Sequence, residues 1–210
     1  MQRNSKQYID RFKRTLVGHT LILATFVGIM WMVEIVDLAL FGGSLDFLGI
    51  QPRSLVGLRN IALSPFLHLG PGHLLANTLP FIILGWLVMV RRVSDFAVVA
   101  AIAAVVSGLG VWIFGASDSI HVGMSGVIFG FLGYLLARGY YERSIPAVVL
   151  AVVALFLYGG MLFGILPLQQ GVSWLGHLFG LFGGILAAYA LADRTNRGMM
   201  VTLERMRERI

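Results

Sequence analysis

The stretch HVGMSGVIFG, residues 121–130, places a hydroxyl among small residues at the entry to an apolar run that continues to Tyr140. Whether that run is a buried helix of a soluble protein or a membrane span is decided by the rest of the chain. Of 210 residues, 58% are hydrophobic and 12% charged, with a mean hydropathy of +0.84. That is more apolar surface than one soluble core can hide, so the composition is that of a membrane protein. A bilayer core about 30 Å thick needs roughly 20 mostly apolar residues per helix. Six stretches meet this requirement: 16–40, 74–90, 96–115, 123–140, 146–167 and 172–192. The expected architecture is therefore an all-α, polytopic bundle of six transmembrane helices spanning 16–192, with a short basic segment, 1–15, before it and a basic tail, 193–210, after it. The first apolar run is longer than a signal-peptide core and no small-residue cleavage site follows it, which marks it as a retained span.

Charge sets the expected orientation. Fourteen of the sixteen basic residues flank the spans on one side: Arg3, Lys6, Arg11, Lys13 and Arg14; Arg91 and Arg92; Arg138 and Arg143; Arg194, Arg197, Arg205, Arg207 and Arg209. Only Arg53 and Arg59 lie on the other side. The positive-inside rule then puts both termini in the cytoplasm, as expected for a plasma (inner) membrane protein. The same bias accounts for the net charge of +6, so nucleic acid is not called for as a partner. The tail 202–210 reads as a solvated or membrane-surface helix end. Cysteine is absent, which excludes a thiol nucleophile, thiolate metal sites and disulfides.

In this topology spans two, four and six enter the bilayer from the same side. Their early residues include His73 and Asn77, Ser125, and His177, all at similar depth in the outer half. Polar groups inside spans are costly in lipid and face a bundle interior or a water-filled cavity. Taken alone, Ser125 reads first as a small packing residue bonded back to its own helix, and His73 with Asn77 reads as a helix–helix hydrogen bond worth about 0.6–2 kcal/mol. The glycines sharpen the reading. Gly126, Gly130 and Gly133 follow the serine at helical spacing, and Gly180 and Gly184 follow His177 at offsets of three and seven. Two such smooth ridges let helices approach closely, which brings Ser125 within reach of an imidazole able to take its proton. His73 and Asn77, four apart, share one helix face and carry donors suited to an oxyanion.

No carboxylate has a spacing that marks it as an orienting third member. Asp118 lies in a short loop as a solvated group, and Glu34 and Asp37, at the outer end of span one, are expected to snorkel to water or pair with loop residues. His68 is expected to order its loop; His121 and His19 receive no chemical role. Gly159, Gly160 and Gly164 near the end of span five are read as packing positions, with gate bending as the alternative.

Three segments, HLGPGHLLAN (68–77), GMSG (123–126) and GHLFGLFGG (176–184), resemble the signature segments of the rhomboid intramembrane serine proteases, in the same order and on the same spans. By position the resemblance implies Ser125 as nucleophile, His177 as general base, and His73 with Asn77 and the Ser125 backbone N–H as oxyanion donors. Gly123, Gly126, Phe129, His68, Gly180 and Gly184 would support the site. It further implies cleavage of transmembrane protein substrates near the outer interface of the lipid bilayer, without metal or cofactor. The segment differs from the GxSxG elbow of soluble hydrolases, since Val127 stands at the final glycine position. Two departures from the family pattern are visible. Phe129 stands where relatives carry tyrosine, and the loop GGSLDFLGIQPRSLVGLRN (42–60) lacks the Trp–Arg pair, its nearest counterpart being Leu58–Arg59. That loop is expected to dip into the interface through Phe47, Leu48, Ile50 and Leu55. The competing function class is a rhomboid-like protein that binds membrane clients without cleaving them, but such a scaffold has no need of both Ser125 and His177. A small transporter is disfavoured by the lack of a clear internal repeat and the confinement of polar residues to one depth.

Overall fold

The computed structural model describes the backbone of residues 2–207 and the side chains of residue 7 and residues 10–192. The side chains of the expected solvated tail all lie outside those described; its backbone to Arg207 is helical. Among the described residues seven α-helices follow one another: α1 (Gln2–Val36), the short α2 (Leu55–Arg59), α3 (Pro71–Met89), α4 (Val93–Phe114), α5 (Ser125–Glu142), α6 (Ile145–Tyr158) and α7 (Trp174–Arg207). Among the described residues there is no strand, only an isolated antiparallel bridge between Ile50 and His121. The fold is an all-α membrane bundle built on six long helices.

Among the described residues, length and composition qualify five segments to cross a membrane: Asp10–Phe41, Pro71–Met89, Val93–Phe114, Ile145–Ile165 and Trp174–Ala192. Helix α5 is the sixth long helix, and its composition differs because its surroundings differ. Arg138, Glu142 and three tyrosines reduce its apolar character, yet twelve of its residues, from Gly126 to Gly139, are buried. It packs on α7, α4, α6 and α3. A helix wrapped by its neighbours needs no continuous lipid-facing apolar surface. Segment 145–165 shows the opposite case, with only 6% of its most apolar window buried. It ends as α-helix at Tyr158 and continues as a 3-10 segment, Gly159–Ile165, so the span expected over 146–167 is not one uniform helix.

At the end of the bundle opposite Ser125, a buried ionic network closes the core. Arg91 pairs with Asp95 at 3.1 Å and with Glu142 at 3.0 Å, and Arg138 pairs with Glu142 at 3.0 Å. The Tyr134 hydroxyl donates to Asp95 at 3.0 Å. These contacts tie the α3–α4 turn to α5, each charge being paired because an isolated one would be too costly to bury.

The loop joining α1 to α3, which lacks an adjacent Trp–Arg pair, is anchored by Arg53 and Trp112. The Arg53 guanidinium donates to the carbonyls of Ile113 (3.1 Å) and Gly115 (2.8 Å) and to the Ser117 hydroxyl, while the Trp112 indole donates to Ser54 O at 2.8 Å. A cation set on the last carbonyls of a helix satisfies orphan acceptors and suits the helix dipole. Phe47, Leu48 and Leu55 are exposed as expected, but Ile50 is buried because its backbone pairs with His121.

Glu34 and Asp37 are buried, so of the two expected outcomes, snorkelling to water or pairing with loop residues, Asp37 takes the second. The Leu45 N–H donates to Asp37 Oδ1 at 2.9 Å, folding the loop onto the carboxylate. Nearby, burial and then the carboxylates of Asp37 and Glu34 push the Asp46 carboxyl up from its ordinary 3.8 to about 6. A carboxyl whose pKa is higher folded than unfolded contributes stability at low pH, and that contribution is lost as pH rises through about 6. Replacing Asp46 by Asn should therefore raise the melting temperature relative to wild type at pH 7 more than at pH 4. Parallel melting curves across that range would contradict the assignment.

Candidate active site

Ser125 is the first residue of α5, so its N–H is among the orphan donors of the helix's first turn. The turn leading into it is fixed from two directions. Gly123 N–H donates to Ser64 O at 2.8 Å, and Met124 N–H donates to His68 Nε2 at 3.4 Å. Gly123 has φ +116, a conformation that strains any side chain, and a Cβ there would also lie 2.8 Å from His73 Cε1 and 3.0 Å from His73 Nε2. Glycine is thus required twice at this position. His68 is buried, and desolvation followed by the neighbouring His73 pushes its pKa down to about 4. It is therefore a neutral hydrogen-bond acceptor at ordinary pH.

His177 lies in the first turn of α7. Its Nε2 is 2.9 Å from Ser125 Oγ and its Nδ1 is 3.0 Å from Gly164 O. A carbonyl can only accept, so Nδ1 carries the proton and Nε2 presents its lone pair to the serine. The orienting third group is thus a main-chain carbonyl of the 3-10 segment. Asp118 is exposed and has no part in the contact. A sequence pattern cannot reveal this carbonyl, because any residue type supplies one. Gly164 itself sits tightly packed, with a Cβ there only 3.1 Å from His177 Nδ1 and 3.2 Å from Phe129 Cζ. The Phe129 ring stacks on His177 with centroids 4.2 Å apart and planes at 9°, holding the imidazole face without a hydroxyl.

His73 and Asn77 project from α3 into the same open cavity, of about 810 Å³, that Ser125, Phe129 and His177 line. Leu69 N–H donates to His73 Nδ1 at 3.3 Å, which leaves the proton on Nε2, the nitrogen facing Gly123. Asn77 Nδ2 donates one hydrogen to His73 O at 3.1 Å and retains a second. The four polar residues expected to share a depth thus lie around one cavity. Behind them, Gly126, Gly130, Gly180 and Gly184 line the α5–α7 contact: a Cβ on Gly180 would strike the Gly126 carbonyl, and one on Gly184 the Gly130 carbonyl.

A family model for the rhomboid domain matches residues 57–194. The chain belongs to the rhomboid family. An uncharacterized Mycobacterium tuberculosis (strain H37Rv) protein is 42% identical to this rhomboid over 187 residues, covering 85% of this chain and 77% of that protein. An uncharacterized protein of Mycobacterium leprae is 38% identical over 200 residues, covering 90% and 78%. The "putative rhomboid protease YdcA" of Bacillus subtilis is 27% identical over 142 residues, covering 62% and 66%.

Three further polar residues lie at this rhomboid's site: Ser107 and Ser173, which the sequence did not single out, and His121, which it left without a role. Ser107 of α4 donates to Gly176 O at 2.8 Å, beside Gly126. His121 Nδ1 lies 2.7 Å from Ser173 Oγ, and both residues line the cavity. Burial lowers the His121 pKa. A lone serine in a small-residue run carries no spacing signal, and His121 and Ser173 lie outside the helices, where no helical periodicity points one at the other.

Proposed function

We propose that this rhomboid is an intramembrane serine endopeptidase that cleaves transmembrane proteins near the outer membrane interface through a Ser125–His177 dyad. The observation that carries the reading is the 2.9 Å Ser125–His177 hydrogen bond, set in an open cavity beside unspent N–H donors. His177 Nε2 takes the Ser125 proton as Oγ attacks the scissile carbonyl; the tetrahedral oxyanion is held by His73 Nε2–H, the free Asn77 N–H and the Ser125 backbone N–H. The same imidazole, its tautomer fixed by Gly164 O, returns the proton to the leaving amine, and water then releases the acyl-enzyme. Irregular backbone and water are tolerated at membrane depth when protein shields them from lipid, which is what the cavity between α3, α5, α7 and the 159–173 segment provides.

Purified protein in liposomes should cleave transmembrane reporter substrates, and a fluorophosphonate probe should label Ser125. Folded protein that does neither with a broad substrate set would favour the client-binding alternative. Orientation has its own test, since the chain has no cysteine. In intact cells Asp118→Cys should react with an impermeant maleimide added outside and Arg143→Cys should not. The reverse pattern would invert the topology and move the site to the other leaflet.

A further inference from the structure

The dyad has a companion of the same two residue types in exchanged positions. His121 precedes Ser125 by four residues and Ser173 precedes His177 by four. The segments that bring Ser125 to His177 therefore also bring His121 to Ser173, 2.7 Å apart. Ser119 spends its hydroxyl proton on Ala116 O at 2.6 Å. His121 Nε2, 2.8 Å from Ser119 Oγ, must then be the protonated nitrogen, and Nδ1 accepts from the Ser173 hydroxyl. The backbone of His121 is held in both directions by Ile50, with N···O distances of 2.9 and 3.0 Å. Ser173 O in turn accepts the His177 N–H at 3.0 Å. A continuous set of hydrogen bonds thus runs from the 42–70 loop through His121 and Ser173 to the first turn of α7.

The location of this pair gives it a use. The glycine contact between α5 and α7 starts at Gly126 and Gly180 and runs away from the cavity. Ser125 and His177 lie at the outset of their helices, where first turns fray when nothing holds them. Just before α7, residues 166–172 run over the cavity as irregular chain, with Leu168, Gln169 and Gln170 exposed and Gly171 at φ +76. Any force on that segment is delivered to Ser173. The His121–Ser173 bond lies beyond the dyad, so the dyad is bracketed: backbone-on-backbone contact on one side, a side-chain bond on the other.

We propose that His121 and Ser173 are positioning residues of the dyad, a hydrogen-bonded strut that fixes the first turn of α7 against the lead-in to α5 and so holds His177 Nε2 on Ser125 Oγ. The proposal rests on the proteolytic reading above. A misplacement of about 1 Å at a reacting pair can cost roughly 100-fold in rate, so losing the strut should lower the chemical step and leave binding in the cavity nearly unchanged.

The test compares wild type with Ser173→Ala, His121→Ala, their combination and Ser173→Thr, reading fluorophosphonate modification of Ser125. Each alanine variant should slow the limiting rate about 10- to 100-fold while the half-saturating probe concentration stays put. The double variant should be no slower than the slower single, since both remove one bond. Ser173→Thr, which keeps the hydroxyl, should restore the wild-type rate. Additive losses, unchanged rates, or labelling of Ser173 in a Ser125→Ala background would overturn the strut. Amide exchange at His177, whose N–H is held by Ser173, supplies a readout that does not depend on chemistry. It should quicken about tenfold or more in both alanine variants. If wild type takes no probe yet exchange quickens, the strut stands and the protease reading falls; unchanged exchange in a folded Ser173→Ala protein sinks the strut.

Discussion

Ser125→Ala and His177→Ala are each expected to reduce cleavage of a transmembrane reporter by roughly 10⁴-fold or more, below detection in a liposome assay. Without Oγ there is no acyl-enzyme, and without the imidazole the serine proton has no base to accept it, because the Gly164 carbonyl that orients His177 is itself far too weakly basic to take a proton. The double variant should be no worse than either single, as members of one catalytic unit are not additive. His73→Ala and Asn77→Ala should give partial losses of about 10- to 100-fold each, since one donor of a well-formed oxyanion site is worth roughly 10²–10³ and two donors remain. The gradation is the informative part. A Ser125→Ala protein that still cleaves would mean the hydroxyl is a packing residue, and equal losses at all four positions would point to a folding defect. Asp118→Ala should leave the rate unchanged, because that side chain is exposed and the imidazole is oriented from Gly164.

The elements legible in the sequence were those written in side-chain chemistry at helical spacing. The dyad residues and the pair His73–Asn77 could be named because serine, histidine and asparagine are costly in a span and stand out there. The α5–α7 ridge could be named because glycine recurs at steps of three and four. Features made by the main chain or by loop packing were hidden. Gly164 O has no residue-type signature, and its segment was expected to be ordinary helix. The Arg53–Trp112 anchor joins residues 59 positions apart through carbonyls at the end of α4. Glu34 and Asp37 were expected either to snorkel or to pair with loop residues, but no residue type marked the partner: the loop that follows folds back and donates a backbone N–H to Asp37. The central position of α5 was not legible either: 123–140 was counted as one apolar span among six, whereas burial by protein permits the arginine, glutamate and tyrosines that lipid would penalise.

Gly180→Val is expected to be the most damaging substitution outside the dyad. A Cβ at Gly180 would strike the Gly126 carbonyl oxygen and lie 2.9 Å from its carbon and 3.0 Å from the Gly126 Cα. These are main-chain atoms, so no rotamer change relieves the clash. The helices must part, and valine adds two methyl groups to what alanine would already require. Forcing extra carbon into a packed interface costs typically 1–3 kcal/mol, and a comparable separation at His177, three residues earlier on the same helix, would stretch the 2.9 Å contact to Ser125 Oγ. At about 1 Å of misplacement the expected loss is roughly 100-fold in rate. Gly184→Val should lower the melting temperature too, through the Gly130 carbonyl, but with a smaller effect on rate because it lies a further turn from the dyad. Gly28→Ala in α1, where a Cβ meets nothing within 4 Å, is the control and should melt at or above wild type, since alanine is the better helix former. Reporter cleavage and thermal melting, measured on the same preparations, separate the two effects. Wild-type values of both for Gly180→Val would mean that the glycine ridge does not set the distance between serine and histidine.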